Sequence, residues 1–156
     1  MEKVILNIGD VVIADDSSIL ETVLGSCVAV CLWDGRLQRG GMNHFMVPYP
    51  SETLQNPAYS GIEAMRRLFS LLVNTGSIVS DIKAKIFGGG KLIKDINQNL
   101  DVGRENIMIA KQMLREYDIP VVKEFTGTGC GIKVLFYTLT GKVFVKKLEE
   151  TIDAQR

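Results

Sequence analysis

Cys27 lies just past a glycine, in Leu24-Gly25-Ser26-Cys27-Val28-Ala29-Val30-Cys31, and the only histidine of the chain follows in Gly40-Gly41-Met42-Asn43-His44-Phe45. A thiol and an imidazole are the minimum set for nucleophilic acyl chemistry: the imidazole takes or holds the thiol proton and the thiolate attacks a carbonyl. With one histidine, only one imidazole-based site can exist. Gly25 and Ser26 suit a tight turn, because glycine accepts backbone angles closed to other residues. Val28 to Trp33 is apolar and β-branched, the composition of a strand. A nucleophile at such a turn-to-strand junction has backbone N–H groups beside it, and those are the donors an oxyanion needs. Pairing with His44 is expected to lower the pKa of the Cys27 thiol. Asn43 is a candidate amide ligand beside the histidine, although alternation along a strand can turn it to the other face.

Other chemistries compete for the same residues. Cys27, Cys31, His44 and Cys130 would make a Cys3His zinc set. An extended Cys27–Cys31 segment, however, puts its Cα atoms roughly 13 Å apart. That is too far for one tetrahedral ion, and too far for a disulfide. Cys31 reads as a small core residue between Val30 and Leu32, and Cys130, set among glycines, as a fallback nucleophile. Gly88-Gly89-Gly90-Lys91-Leu92 lacks the phosphate-loop spacing, with no Ser or Thr after the lysine. Gly127-Thr128-Gly129-Cys130-Gly131-Ile132 lacks the third glycine of a dinucleotide loop and leads into a strand. Both runs read as turns that let a partner chain approach. Met42, Phe45, Met46 and Tyr49 around the histidine read either as core or as an apolar wall to the site. No metal and no organic cofactor is expected.

The same stretches resemble the CheD family, the chemoreceptor glutamine deamidases of bacterial and archaeal chemotaxis. Leu24 to Leu32 and Gly40 to Pro48 carry the likeness. It continues through Ala64-Met65, Ala84-Lys85-Ile86-Phe87-Gly88-Gly89-Gly90, Gly103-Arg104-Glu105-Asn106-Ile107 and Thr140-Gly141-Lys142-Val143, almost the whole chain. The resemblance implies hydrolysis of selected receptor glutamine side chains to glutamate, with Cys27 as nucleophile and His44 as base. It implies a catalytic threonine five or six residues before the cysteine, where Thr22 and Glu21 stand here. Thr22 is the expected third member and Glu21 the alternative. Where the family carries a Gly-Arg pair near the C-terminus, this chain has Gly131-Ile132-Lys133. The resemblance also implies the fold of the cytotoxic necrotizing toxin deamidases. The partners it implies are the cytoplasmic helical region of chemotaxis receptors and the phosphatase CheC. Two further functions use the same residues: a regulatory partner that stimulates CheC, and a methylesterase acting on glutamyl methyl esters.

The rest of the chain must position this site. At 156 residues it is expected to be one domain, 1–156, with a proper core. Hydrophobic residues at 46% and charged residues at 23% are those of an ordinary soluble protein. Lysine plus arginine equals aspartate plus glutamate, at 18 each, which gives no electrostatic footprint for nucleic acid or an anionic membrane. No apolar run is long enough to span a bilayer. Met1 to Leu6 turns polar at once, unlike a signal peptide. Three cysteines make no disulfide framework, so a cytoplasmic setting, which keeps a thiol reduced, is expected.

Val4 to Ile13 reads as a strand pair around Gly9-Asp10, and Ile19 to Leu24 as a strand leading into the Gly25 turn. Val28 to Trp33 and Leu37 to Val47 flank Asp34-Gly35, a hairpin signal. Pro48 to Pro57 is a loop. Tyr59 to Val73 is a helix with Ser60 as cap and Ile62, Met65, Leu68, Phe69 and Leu72 on its apolar side. Asp81 to Phe87 is a strand, and Asn106 to Tyr117 a second amphipathic helix. Val121 to Phe125, Val134 to Thr138 and Val143 to Leu148 are three closing strands, and the tail 150–156 is expected to fray. The fold class is therefore α+β: a sandwich of mixed β-sheets with flanking helices.

Overall fold

A computed structural model describes residues 1–91 and 101–148. The expectation of a frayed tail falls on residues outside this range. Among these residues nine strands form two sheets. The four-stranded sheet runs in the order β1 (Glu2–Ile5), β3 (Ser18–Leu24), β8 (Ile132–Tyr137), β9 (Val143–Lys147). The five-stranded sheet runs β2 (Val11–Ala14), β5 (Arg39–Asn43), β4 (Val28–Asp34), β6 (Ile82–Gly88), β7 (Val121–Thr126). Both are mixed: β1 pairs β3 in parallel and β6 pairs β7 in parallel, while the other neighbours are antiparallel. Helices α1 (Gly61–Asn74) and α2 (Val102–Glu116) pack on the five-stranded sheet. The α+β class with two mixed sheets and two helices is as expected.

Alternation along β4 explains the layering. Val28, Val30 and Leu32 face the helices and join Met65, Leu68, Leu72, Ile109 and Leu114 in one core. Ala29 and Cys31 face the other way and meet Leu20, Leu24, Val134 and Phe136 of the four-stranded sheet in a second core. β4 is thus buried on both sides, which is why it reads as a continuous apolar run rather than an alternating one. Each helix begins where a side chain satisfies its first free N–H groups. Ser60 Oγ accepts from Glu63 N at 3.3 Å, and Asp101 Oδ1 accepts from Arg104 N at 3.0 Å. The second cap starts α2 at Val102, four residues before the expected Asn106, so Gly103 and Asn106 lie in its first turns.

Two expectations need correction. β1 and β2 are not a pair: the chain turns at Asn7–Asp10, where Asp10 Oδ2 accepts from Asn7 N at 2.7 Å, and crosses from one sheet to the other. The three closing strands are present as expected, β7 in the five-stranded sheet and β8 and β9 in the four-stranded one. β5 ends at Asn43 rather than Val47, because the Asn43 side chain takes the Val30 N–H at 2.9 Å and the strand then bends, with Met46 and Val47 N bonding to Tyr59 O. The Asp34-Gly35 signal is sound: β4 pairs with β5 through Asp34 and Arg39, and Asp34 Oδ1 accepts from the N–H of Arg36 and Leu37.

Candidate active site

Cys27 occupies the junction between the turn after β3 and the first residue of β4. The three carbonyls around it are engaged. Gly25 O accepts from Gly90 N at 2.8 Å, Cys27 O from Gly89 N at 2.9 Å, and Ser26 O from Asn106 Nδ2 at 3.1 Å. The N–H groups of Ser26 and Cys27 donate to no acceptor among the described residues. Donors left free beside a thiol are the arrangement an oxyanion requires. The glycine run after β6 serves this turn. Gly88 has φ +99°, and a Cβ there would strike the Cys27 carbonyl oxygen. A Cβ on Gly103 in α2 would come within 2.5 Å of the carbonyl oxygens of Gly89 and Gly90. Backbone therefore packs on backbone from α2 through the glycine loop to Cys27.

His44 enters from the end of β5. Past Asn43 the pairing with β4 resumes at Val28 and Phe45, which exchange two backbone hydrogen bonds of 3.0 Å. In that register Cys27 and His44 are diagonal neighbours on the face between the two sheets, roughly 7–8 Å apart at the backbone. Thr22 arrives from β3 of the opposite sheet. Its Oγ1 lies 2.6 Å from His44 Nδ1 and 2.8 Å from the Leu6 carbonyl. A hydroxyl has one proton. Because the carbonyl can only accept, Thr22 donates to Leu6 O and accepts from His44 Nδ1–H. The lone pair is thereby left on Nε2, which is buried and among the described residues has no hydrogen-bond partner, the Cys27 thiol included.

Burial sets the protonation of both groups. It pushes the His44 pKa down from 6.5 to about 4, against a smaller upward pull from the Asp10 charge, so the imidazole is neutral at pH 7. It also raises the Cys27 thiol above its usual value. The expected lowering of the thiol pKa is therefore corrected. Two groups withdrawn from water, with no cation beside them among the described residues, rest as a neutral pair rather than as thiolate and imidazolium.

Of the remaining candidates, Glu21 points to the outer face of its sheet. There Lys3 Nζ lies 3.1 Å and Lys133 Nζ 3.8 Å from its carboxylate, and Oε1 has the charge contact without hydrogen-bond geometry. Asn43 is turned toward the helices, with Nδ2 on Met65 Sδ at 3.3 Å, and does not join Cys27 and His44. Cys31 is buried core, and Cys130 is half-buried in the β7–β8 loop. Among the described residues no three His, Cys, Asp or Glu side chains converge as a metal site. Met42 and Phe45 are fully buried on opposite faces, in the two cores, while Tyr49 is exposed. Asn106 is the site residue that sequence reasoning missed. Fully buried, its Nδ2 donates to Ser26 O and to Met46 O, each at 3.1 Å, and so ties the backbone beside the thiol to the backbone beside the histidine. The available signal was its place in the Gly103-Arg104-Glu105-Asn106 stretch.

The fold and site define an α+β protein with a neutral thiol–imidazole pair held between two mixed sheets. Comparison with known proteins makes the assignment specific. The family described as CheD chemotactic sensory transduction matches residues 46–147. A probable chemoreceptor glutamine deamidase CheD of Trichlorobacter lovleyi is 42% identical over 127 residues, covering 81% of this chain and 78% of that protein. The probable chemoreceptor glutamine deamidase CheD 1 of Anaeromyxobacter dehalogenans is 36% identical, covering 94% and 85%. The corresponding protein of Rhodospirillum rubrum is 34% identical, covering 97% and 86%. The chain belongs to the CheD family. Among solved structures, a hypothetical protein YfiH of Bacillus licheniformis shares the fold, with a TM-score of 0.51 at 15% identity. That match covers 76% of this chain and half of the other. No helix among the described residues is long and apolar enough to cross a membrane.

Proposed function

We propose that this protein hydrolyses the γ-carboxamide of selected glutamine side chains on chemotaxis receptors, giving glutamate and ammonia through a thioester on Cys27. The observation that carries the mechanism is the state of His44: Nδ1–H is held by Thr22, and a buried, unprotonated Nε2 is left without a partner on the face it shares with Cys27. Cys27 Sγ attacks the amide carbon as its proton passes to Nε2. The oxyanion takes the free N–H groups of Cys27 and Ser26. Nε2–H then protonates the departing nitrogen, the C–N bond breaks and ammonia leaves. Nε2 next takes a proton from water, whose oxygen attacks the thioester, and the returning proton frees the thiol. Thr22 keeps the imidazole in the tautomer this needs, and Asn106 holds the two backbone segments in register. No step calls for a cofactor.

Membership of a family whose relatives are named chemoreceptor glutamine deamidases supports the substrate. The same reading carries CheC as a partner, the cytoplasm as the compartment, a single domain over 1–156, and kinship of the fold with the toxin deamidases. The test is mass spectrometry of receptor cytoplasmic fragments after incubation with the protein. The expected product is glutamate at specific glutamine positions, absent with Cys27→Ala. Unchanged glutamines beside demethylated glutamyl esters would replace deamidation by methylesterase activity. No product from either substrate, with the CheC phosphatase stimulated on addition, would leave a regulatory binding partner.

A further inference from the structure

At the far end of β4 from Cys27, roughly 20 Å along an extended strand, the two sheets part to leave a cavity of about 190 Å³. Its lining includes Trp33, Phe136 and the buried Cys31 as apolar walls, and Lys83, Lys85 and Lys142 as its charges. Lys85 points inward from β6, in register with Cys31 on one side and Lys123 on the other. Its ammonium, half-buried, donates one hydrogen bond, to Gly141 O at 2.9 Å. The Gly141 backbone in turn packs against the Trp33 ring, where a Cβ would come within 2.6 Å. The turn that closes the cavity is thereby fixed. Among the described residues the carboxylates form their ion pairs elsewhere, and none pairs with Lys83, Lys85, Lys123 or Lys142. Burial pushes the Lys85 pKa down, against an upward pull from Cys31, and the neighbouring Lys123 charge adds a smaller downward push.

A protein with no net charge has thus gathered three cations around one pocket, with Lys123 beside them, and among the described residues none has a counter-charge. An ammonium carries three donors, and Lys85 has two still to satisfy in a space where desolvation strengthens a charge-assisted bond. We infer that this cavity binds a compact, multiply charged oxyanion of the phosphate type, held by Lys85 from within and by Lys83 and Lys142 at the rim. The volume admits one such group with a small substituent. A free phosphate and the phosphoryl head of a small phosphomonoester share the chemistry, and the experiment separates them.

Trp33 is the only tryptophan and lines the cavity, so its fluorescence reads occupancy directly. The protein is titrated with inorganic phosphate and, separately, with glycerol phosphate, at ionic strength held constant with chloride, and calorimetry gives an independent constant. A saturable change with phosphate is expected. Lys85→Gln should weaken binding about tenfold or more, the scale of one hydrogen bond to a charged group. Lys142→Gln, at the exposed rim, should weaken it several-fold without disturbing the fold. Tighter binding of the ester than of phosphate identifies a phosphomonoester as the natural occupant, and the reverse identifies the free ion. A response no larger than that to chloride, or constants unchanged in both variants, overturns the site. Neither lysine touches Cys27 or His44, so that failure leaves the deamidase reading untouched.

Discussion

Acidification from about pH 7.5 to pH 5 should destabilise this protein through one residue. In the unfolded chain the His44 imidazole takes up a proton near 6.5; in the folded protein burial delays uptake to about 4. Between those values the unfolded state binds more protons than the folded one, so stability falls as pH falls, and the loss is complete below about pH 4. Fully developed, the gap corresponds to about 3 kcal/mol, and at pH 5 about 2 kcal/mol of it has been lost. Within this window the signal is clean. His44 is the only histidine, and burial moves the Cys27 and Cys31 thiols upward, away from it. Urea unfolding at pH 5, 6 and 7.5 measures the loss, provided the denaturant slope stays constant. His44→Gln should unfold with stability that is level across the range. A wild-type protein with level stability, or a His44→Gln variant with the same slope, would refute the buried neutral imidazole. The two ring C–H resonances of this one imidazole give a second reading, since they should titrate near 4 in the folded protein. The same free base implies that kcat/KM holds from pH 7 to about pH 5, and that His44→Ala lowers turnover by about 100-fold or more.

Iodoacetamide should label Cys27 slowly at neutral pH, with a rate that climbs about tenfold per pH unit as the thiolate forms; a plateau below pH 8 would restore the low-pKa thiol. Cys27→Ala should lose product formation, while Cys31→Ala and Cys130→Ala keep it. Thr22→Ala should cost about one to three powers of ten in kcat, on the scale of other orienting residues, and Glu21→Gln little; the opposite pattern would move the third role to Glu21. Asn106→Ala strands the Ser26 and Met46 carbonyls and should cost about 1–3 kcal/mol of stability, with kcat falling more than KM rises. Equal kcat in a folded Asn106→Ala protein would limit that residue to the core.

How much of this was written in the sequence depends on whether the information is local. The turn before Cys27, the two-sided burial of β4, the Asp34-Gly35 hairpin and the apolar stripe of α1 follow from residues that are neighbours in the chain. Strand partners do not. β1 and β2 are four residues each, and their pattern says strand without saying which sheet, because that is settled by the Asn7–Asp10 crossover. Asn106 was hidden for another reason. A polar residue in an amphipathic helix reads as solvated, and only packing of α2 onto the glycine loop buries it against two carbonyls. The protonation of the Cys27–His44 pair was misread because spacing reports proximity, whereas the charge state depends on how much water both sheets exclude.

The choice between Thr22 and Glu21 connects that exclusion to the chemistry. Adjacent on β3, they point to opposite faces, and the one turned inward decides what His44 can be. A carboxylate on Nδ1 would favour an imidazolium and, with it, a standing thiolate, charges that burial penalises. Glu21 instead lies outside, where Lys3 and Lys133 balance it. Threonine supplies the same acceptor without charge and passes its own proton to Leu6 O, so the buried pair stays neutral at rest. In the proposed reaction charge develops only when a carbonyl arrives to receive it, beside the N–H groups of Ser26 and Cys27 that have no acceptor among the described residues. In such a site the thiol is held unreactive toward small electrophiles at neutral pH, and a substrate that brings its own oxyanion to those donors supplies the stabilisation that water no longer does.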